Sequence, residues 1–488
     1  MALPSVELLS IHYNGTTVFV AWQANIAPGF DFFRWKIFDL DSPWTYEQDT
    51  TRTTIEKPLA LSADSAYQTY VVMYADGEPI VDSQIEFVIS QRPVIDAMTY
   101  ALGAVDTLGM GWPALTQTGA DTYVVSIDST GGSRENIPTE TNVFSLERTL
   151  DTRYVWTGAV SGSTFSGIST GPISESRTFI LLPPILSGVS YDLAETAAAW
   201  GPLEQPGAQK FVVTLIGNTT TKHETDDFHI GIPGVRDPQY TWLLSVAAES
   251  SDGVSVGPSS QQVTLILAVP SLDELDYDLA KLTPRWTKVP PTVTVSGYLV
   301  QLLDPHDLRN YQAGDVDELL IDVALQLDLT YELWVIAMNG IVAGPKSGKL
   351  TPLVKPATHV RLDTNLAVQP LITNWTVPNG GETAFLLQLY ANGAAQPDQT
   401  AVTPPFTLAQ PVTAGVAYAL RLRPTGDKVK GPWSSLVPGP WLANIVYVYD
   451  RTARLTAMTW NGAATRTWSY DDAGNILSVT NTPAETNE

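Results

Sequence analysis

Short runs in which apolar and polar residues alternate recur along the whole chain. In the clearest run, Tyr240, Trp242, Leu244 and Val246 occupy every second position. A period of two is typical of strands that bury one face, and the Gly, Pro, Asn and Asp residues between the runs are typical of turns. The pattern therefore predicts an all-β protein built from short, half-buried strands.

These runs belong to a repeat whose landmarks keep a fixed order, which indicates a series of similar structural units. A tryptophan returns every 86 to 90 residues, at Trp22, Trp112, Trp200, Trp286 and Trp375. A tyrosine follows each of them, at Tyr67, Tyr154, Tyr240, Tyr331 and Tyr418. Four of the five units then close with a Gly-Pro-x-Ser turn, at Gly171-Pro172, Gly257-Pro258, Gly344-Pro345 and Gly431-Pro432.

We predict a linear array of five Ig-like β-sandwiches with the tryptophan and tyrosine landmarks in their cores. The predicted sandwiches span 1–90, 91–181, 182–267, 268–354 and 355–440, and residues 441–488 form a separate tail. Linkers of only a few residues predict a semi-rigid array.

The early tryptophan, the tyrosine-led run and the Gly-Pro-x-Ser turn together resemble the fibronectin type III module. This resemblance covers about nine-tenths of the chain. It implies the fold but says little about function, because the same fold serves adhesion, spacing and receptor roles. The first unit departs from the pattern, with Val81-Asp82-Ser83 in place of the Gly-Pro turn, so its last loop is expected to differ.

The repeat stops after residue 440, and two Tyr-Asp pairs follow, Tyr449-Asp450 and Tyr470-Asp471. Between them, residues 461–462 read Asn-Gly, which is a strong hairpin signal. The segment resembles the tyrosine-aspartate (YD) repeat of RHS proteins, which builds the shells of bacterial toxins, although Ala453 stands where that family usually has Gly. The resemblance implies a bacterial source and a C-terminal β-hairpin.

An isolated hairpin is only marginally stable in water. The tail is therefore expected to pack on the fifth sandwich or to pair with another chain. The residues that we predict for such an interface are the two Tyr-Asp pairs and two exposed aromatic residues, namely Tyr449, Asp450, Trp460, Trp468, Tyr470 and Asp471.

Composition removes several functional classes. The chain has 488 residues, no Cys, and 51 Asp and Glu against 27 Lys and Arg, which gives a net charge of −24. Without Cys there are no disulfides and no thiolate chemistry. The acidity argues against nucleic acid as a partner, and no apolar stretch long enough for membrane insertion or a Sec signal peptide is visible.

No nucleophile elbow, Walker A loop or dinucleotide-binding glycine pattern is present, so we predict that the protein is not an enzyme and holds no cofactor. Two acidic clusters have residues that can bind metal ions. One is the segment from His223 to His229, and the other is a group in the fourth unit with Asp304, Asp307, Asp315, Asp317 and Glu318. Neither cluster has the spacing of known metal ligands, so we interpret both as solvated loops. The alternative is that the second cluster binds a structural Ca²⁺ ion.

The charge is unevenly distributed among the units. The first unit carries −8 and the fifth +2. The basic residues of the fifth unit are concentrated on one strand and its turn, at Arg421, Arg423, Lys428 and Lys430. Opposite charges at the two ends favour head-to-tail contact, so these four residues are added to the predicted assembly interface, with ordinary variation between domains as the alternative.

The favoured function is a non-enzymatic structural or adhesion protein, outside the cell or on its surface, exported by a non-Sec route. It would self-assemble into a homo-oligomer or filament through the Tyr-Asp tail. A first alternative is a receptor-binding or delivery component with an RHS-type toxin partner. A second alternative is a carbohydrate-binding protein that uses exposed aromatic side chains.

Overall fold

The structure is a computed structural model. The residues that it describes form β-strands, and no helix occurs among them. The described residues are 3–364, 370–378, 382–411, 413, 415–439, 445–460 and 464–482. The prediction of an all-β protein is confirmed. The chain divides into two units, Met1–Leu265 and Ile266–Glu488.

The first unit contains three sandwiches, here called modules 1 to 3. Module 1 has β1 (Ser5–Tyr13), β2 (Thr17–Asn25), β3 (Phe30–Asp39), β4 (Thr45–Thr50), β5 (Thr54–Pro58), β6 (Tyr67–Ala75), β7 (Glu78–Asp82) and β8 (Glu86–Val88). Module 2 has β9 (Ala97–Ala101), β10 (Thr107–Gly111), β11 (Thr122–Ser129), β12 (Arg134–Thr139), β13 (Val143–Glu147), β14 (Trp156–Ser163), β15 (Ser169–Thr170) and β16 (Arg177–Thr178). Module 3 has β17 (Leu186–Tyr191), β18 (Glu195–Trp200), β19 (Lys210–Ile216), β20 (Thr220–Thr225), β21 (His229–Pro233), β22 (Leu243–Glu249), β23 (Ser255–Ser259) and β24 (Val263–Thr264).

The second unit contains modules 4 and 5 and a terminal sheet. Module 4 has β25 (Ser271–Asp278), β26 (Lys281–Thr287), β27 (Gly297–Leu303), β28 (Leu308–Ala313), β29 (Ile321–Asp322), β30 (Glu332–Asn339) and β31 (Val342–Lys346). Module 5 has β32 (Thr358–Thr364), β33 (Pro370–Thr376), β34 (Ala384–Ala391), β35 (Ala394–Ala395), β36 (Gln399–Ala401), β37 (Phe406–Pro411), β38 (Tyr418–Thr425), β39 (Val429–Lys430) and β40 (Val437–Pro438). The terminal sheet has β41 (Ile445–Tyr449), β42 (Leu455–Trp460), β43 (Ala464–Tyr470) and β44 (Ile476–Thr482).

Every module pairs its strands in the same order. In module 1, β1, β2 and β5 form one sheet, and β4, β3, β6 and β7 form the other. These are strands A, B and E against strands C′, C, F and G, which is the arrangement of a fibronectin type III sandwich. The chain is therefore an all-β array of Ig-like sandwiches of the fibronectin type III kind.

The repeating tryptophan of strand B lies at the centre of each core. Trp22, Trp112, Trp200, Trp286 and Trp375 are 2 to 4% exposed. Each one packs on an aromatic residue of strand C, with ring centroids 5.0 to 5.5 Å apart; these partners are Phe33, Tyr123, Phe211, Tyr298 and Phe385. The five indole N–H groups have no hydrogen-bond acceptor among the described residues, so the ring contacts, and not a hydrogen bond, fix these side chains.

The second landmark needs a correction. The hydroxyls of Tyr67, Tyr331 and Tyr418 each accept a hydrogen bond from a backbone N–H five residues upstream, at 2.9 to 3.0 Å. Tyr154 and Tyr240, however, are 40% and 47% exposed, so they are not core residues.

Tryptophans two residues later take this position in modules 2 and 3. Trp156 and Trp242 are buried, and each indole N–H donates to a carbonyl oxygen five residues upstream at 3.0 Å. A hydrogen bond between this side chain and the backbone five residues upstream remains, but its direction is reversed, because the side chain now donates to the backbone. The prediction of a core tyrosine is therefore wrong in modules 2 and 3, where a tryptophan replaces it.

Neighbouring modules within each unit share a sheet. Strand A of one module pairs in parallel with the residues just before the Gly-Pro turn of the next module. The pairs are β1 with β15, β9 with β23, and β25 with β39. The resulting sheets contain eight, eight and nine strands. A linker alone therefore does not hold these modules together.

One backbone hydrogen bond recurs at the three junctions. The N–H groups of Ile11, Met98 and Leu275 donate to the carbonyl oxygens of residues 168, 254 and 428 at 2.7 to 2.8 Å. In modules 2 and 3 a glutamine side chain binds the linker as well. The Gln117 amide accepts from the N–H of Ser90 and donates to the carbonyl oxygen of Val88, and the Gln205 amide accepts from the N–H of Leu182.

The glycine of the Gly-Pro turn is required by the close approach of the preceding module. A Cβ atom at Gly257 would lie 2.5 Å from Cγ2 of Ile180, and one at Gly171 would lie 2.6 Å from Cγ2 of Ile89. Real Cβ atoms do not come this close to other carbon atoms. The Gly-Pro turn is therefore a junction element as well as a turn.

Adding one methyl group at Gly257 tests this role. We expect Gly257→Ala to lower the free energy of unfolding by roughly 1–3 kcal/mol, because the core at the junction is already full. Ile180→Leu in the same chain removes the clashing Cγ2 branch and should restore part of the loss. Urea unfolding of the full chain measures both effects.

Gly188→Ala is the matched control, since a Cβ atom there meets nothing within 4 Å. If Gly257→Ala is as harmless as Gly188→Ala, the junction does not depend on this contact.

Candidate assembly surfaces

The predicted basic patch lies at the junction of modules 4 and 5. Arg423 is 7% exposed, and its guanidinium group forms an ion pair with Asp276 on strand β25. Lys430 Nζ lies 2.7 Å from Oε1 of Glu274 on the same strand. Lys428 Nζ donates to the carbonyl oxygen of Leu272 at 3.2 Å. Three of the four predicted cations therefore pair with the neighbouring module of the same chain.

Arg421 has a different environment on the outer face of module 5. Its guanidinium group lies 4.5 Å from the ring of Trp433, a cation–π contact, and donates to Oε1 of Gln388 at 2.7 and 3.0 Å. Most of the basic residues of module 5 thus have their partners within the same chain. Contact of these cations with a second chain stays a prediction.

The ion pair with Lys430 also changes the pKa of Glu274. The hydrogen bond from Lys430 lowers the pKa of Glu274 below its ordinary value, against the opposing effect of burial. A lowered pKa in the folded state contributes stability above the unfolded pKa of about 4.3, and this stability is lost as the pH falls through the folded value. The junction should therefore weaken in acid.

Removing one partner of the Arg423 pair tests its role. We expect Asp276→Ala to destabilise the chain by about 2–4 kcal/mol, because a buried guanidinium group loses its counter-charge. The exchanged pair, Asp276→Arg with Arg423→Asp, should recover part of the loss. Thermal unfolding of the full chain measures these differences.

Asp151→Ala serves as the control, because its partner Arg153 is largely exposed and such pairs contribute at most about 1 kcal/mol. Equal effects of Asp151→Ala and Asp276→Ala would contradict a structural role for the Arg423 pair.

The Tyr-Asp tail forms a sheet of two hairpins instead of a single hairpin. Strands β41 to β44 pair antiparallel in chain order. A bulge lies at the end of the first strand of each hairpin, between Val448 and Tyr449 and between Ser469 and Tyr470. The predicted Asn-Gly turn at 461–462 lies outside the described residues, although the strands on either side of it pair with each other.

Each aspartate of a Tyr-Asp pair organises the turn that follows it. Asp450 Oδ1 accepts from the backbone N–H groups of Thr452 and Arg454, and Asp471 accepts from both nitrogens of Asn475. The backbone N–H of Arg454 and the hydroxyl of Thr452 hold the pKa of Asp450 well below its ordinary value. The side-chain amide and the backbone N–H of Asn475 lower the pKa of Asp471.

The tyrosines have unequal surroundings. The Tyr470 hydroxyl donates to the carbonyl oxygen of Leu455 at 2.6 Å, and the guanidinium group of Arg454 lies 4.9 Å from the Tyr470 ring. Tyr449 is 58% exposed, and Trp468 is partly exposed. Trp460 ends strand β42, but its side chain lies outside the described residues.

The terminal sheet has no core among its described side chains. None of residues 447–459 and 466–481 is buried. Tyr447, Met458 and Arg466 occupy one cross-strand row, with Trp468 and Val479 opposite each other on the same face. The next row, Val448, Ala457, Thr467 and Thr480, lies on the other face and consists of small residues, two of which are polar. An amphipathic sheet of this kind exposes its apolar face.

The two turns differ at one position. Ala453 has φ of +61°, and the equivalent Gly474 has φ of +91°. An L-residue with a Cβ atom pays about 1 kcal/mol in this region, whereas glycine does not. We therefore expect Ala453→Gly to stabilise the first hairpin by up to about 1 kcal/mol, seen as slower hydrogen exchange of strands β41 and β42.

The reciprocal change, Gly474→Ala, should speed exchange in β43 and β44. Faster exchange after Ala453→Gly would show that chain flexibility outweighs strain at this turn.

Module 1 has an edge that differs from the three equivalent edges at the described junctions. The N–H of Ser83 donates to the carbonyl oxygen of Val71, as Ser174 does to Val160, so these serines correspond. Ile80 therefore stands where the other modules have the junction glycine, and it is 45% exposed. Pro79 and two acids, Glu78 and Asp82, complete strand β7. Proline and charge on an edge strand prevent pairing.

The outer face of the same sheet carries aromatic rings and cations. Arg34 lies 5.1 Å from the ring of Tyr74, and Lys36 lies 5.9 Å from the ring of Tyr70 and pairs with Glu47 at 2.8 Å. A shallow groove of about 630 Å³ lies beside Lys36 and Tyr70. Its other lining residues include Phe38, Asp39, Thr45 and Asp82.

The two acidic clusters have partners within the chain. Asp304 accepts from the backbone N–H groups of His306 and Asp307 and lies 3.2 Å from Arg309. Glu224 pairs with Lys210 at 2.9 Å. Among the described residues, no three His, Asp or Glu side chains converge to hold a metal ion. Nor do these residues contain a helix long and apolar enough to cross a bilayer.

Comparison with known proteins adds little to the strand order. No protein-family model and no curated protein matches the chain. Among solved structures, the FN1–FN3 domains of chicken CNTN1 share 12% identity with it. The match covers 53% of this chain and 100% of that chain, with a TM-score of 0.24. This similarity carries no argument about function, and the fibronectin type III assignment rests on the topology described above.

Proposed function

We propose that this chain is a non-enzymatic structural or adhesion protein that acts outside the cell and assembles through its terminal sheet. The observation that carries the assembly is the coreless sheet of β41 to β44. Four strands with an exposed apolar face gain stability from contact with another surface. The extracellular location and the bacterial source rest on analogy with fibronectin type III and RHS proteins alone.

The array supports a structural role. Each described junction joins modules through paired strands and buried side chains, and ion pairs add to the junctions of modules 2 and 3 and of modules 4 and 5. Such an array resists bending more than a string of sandwiches on flexible linkers does. Modules joined in this way, together with a sheet that exposes apolar side chains, are a suitable building block for a larger complex.

Two alternatives use specific features of the chain. In the first, the terminal sheet joins an RHS-type partner protein that supplies further Tyr-Asp repeats, and the modules serve for binding or delivery. In the second, the groove beside Tyr70 binds a carbohydrate, because an aromatic ring beside hydroxyl and carboxylate groups suits a sugar. The coreless sheet favours contact through the tail over carbohydrate binding.

Removing the tail tests the proposal. We expect the full chain to have a mass of two or more copies by light scattering, and the chain without residues 441–488 to have the mass of one copy. Deletion of residues 483–488 is the matched control, because it keeps all four strands and should leave assembly intact. Equal masses for the full and the truncated chain would overturn assembly through the tail.

A further inference from the structure

The terminal sheet contains two copies of one hairpin, and their junction shows how hairpins join. Tyr449 and Asp450 correspond to Tyr470 and Asp471, and each copy has a bulge at the same place. The second strand of the first copy, β42, pairs with the first strand of the second copy, β43. Strand β44 thus corresponds to β42, and strand β41 corresponds to β43.

Among the residues that the structure describes, neither outer strand of this sheet has a second strand partner. The sheet ends at β41 on one side and at β44 on the other. Neither strand contains a proline or a charged residue. By contrast, the edge strand β7 of module 1 contains one proline and two acids. Such residues protect edge strands against pairing in proteins. Strand β7 is therefore protected against pairing, whereas β41 and β44 are not.

The internal junction also sets the register of a further pairing. In it, Ala457 lies opposite Thr467, and Met458 lies opposite Arg466. Transferring these pairs to the corresponding strands places Ser478 opposite Val446 and Val479 opposite Ile445. The second pair joins two apolar positions, so the new contact suits strand pairing at least as well as the internal one.

We propose that strand β44 of one copy pairs antiparallel with strand β41 of a second copy, in the register that β42 and β43 already use. This inference rests on the proposed assembly and adds its partner and geometry. The contact is heterologous, because each copy offers a different edge at each side. Such contacts generate rings when they close and filaments when they do not.

Engineered cysteines report on this pairing, because the natural chain has none. Val446→Cys and Ser478→Cys are made as separate single variants and then mixed under mild oxidation. We expect a covalent dimer from the mixture and little from either variant alone. The double variant Ala457→Cys with Thr467→Cys is the control, since the same register within one chain should give a cross-linked monomer.

A charge test is independent of disulfide geometry. Val446→Lys together with Ser478→Lys brings two cations together and should reduce the mass seen by light scattering to one copy. Val446→Lys together with Ser478→Glu should restore assembly.

The outcomes separate this inference from the proposed function. If the full chain is a single copy, both fail. If it assembles through the tail, but the mixed cysteines do not cross-link while the control does, or the Lys/Lys variant still assembles, the register is wrong and the proposed function stands. A dimer from Ser478→Cys alone would show a symmetric contact and overturn the inference.

Discussion

The parallel pairing of strand A with the residues before the next Gly-Pro turn is the contact on which the described junctions depend. It removes an open edge from each of the two modules that it joins, and it draws the linker so close that only glycine fits in the turn. The ion pairs of Arg423 and Lys430 and the amide contacts of Gln117 and Gln205 all lie beside this pairing. They differ from junction to junction, whereas the backbone hydrogen bond does not. Backbone pairing therefore defines the junction, and side chains adapt it locally.

The same contact explains why the first module departs from the repeat. Its position equivalent to the junction glycine holds Ile80, and its edge strand carries Pro79 between charged residues. A glycine is needed only where a neighbouring module approaches, and an edge without a neighbour needs protection. Part of the negative charge of the first module lies on this edge strand, at Glu78 and Asp82.

Local patterns in the sequence were enough for the fold, and long-range contacts were not accessible to them. Alternation and the recurring tryptophan predicted strands and cores because both depend on neighbours within one module. The prediction that Tyr154 and Tyr240 are core residues was wrong, because tyrosine and tryptophan can both bond to the backbone at this position. Tyrosine accepts a hydrogen bond there, and tryptophan donates one. Gly171 and Gly257 were recognised as turn residues, but their contacts with Ile89 and Ile180 span more than 75 residues and leave no local pattern. The basic residues stand out in the sequence by their charge, but their partners Asp276 and Glu274 lie in module 4, which sequence spacing does not connect to them.

Because neighbouring modules share a sheet, the unfolding of one module also affects the stability of its neighbour. When module 2 opens, strand β1 of module 1 loses the chain segment that covers its edge, and the N–H of Ile11 loses its acceptor. Damage by heat or by pulling would then spread along the chain instead of remaining within one sandwich, as expected when stability is divided between repeats and their interfaces. An edge uncovered in this way can capture the matching segment of another copy, so strand exchange between chains becomes a hazard of partial unfolding. The pairing that joins neighbouring modules would then also be the place where partly unfolded copies exchange strands.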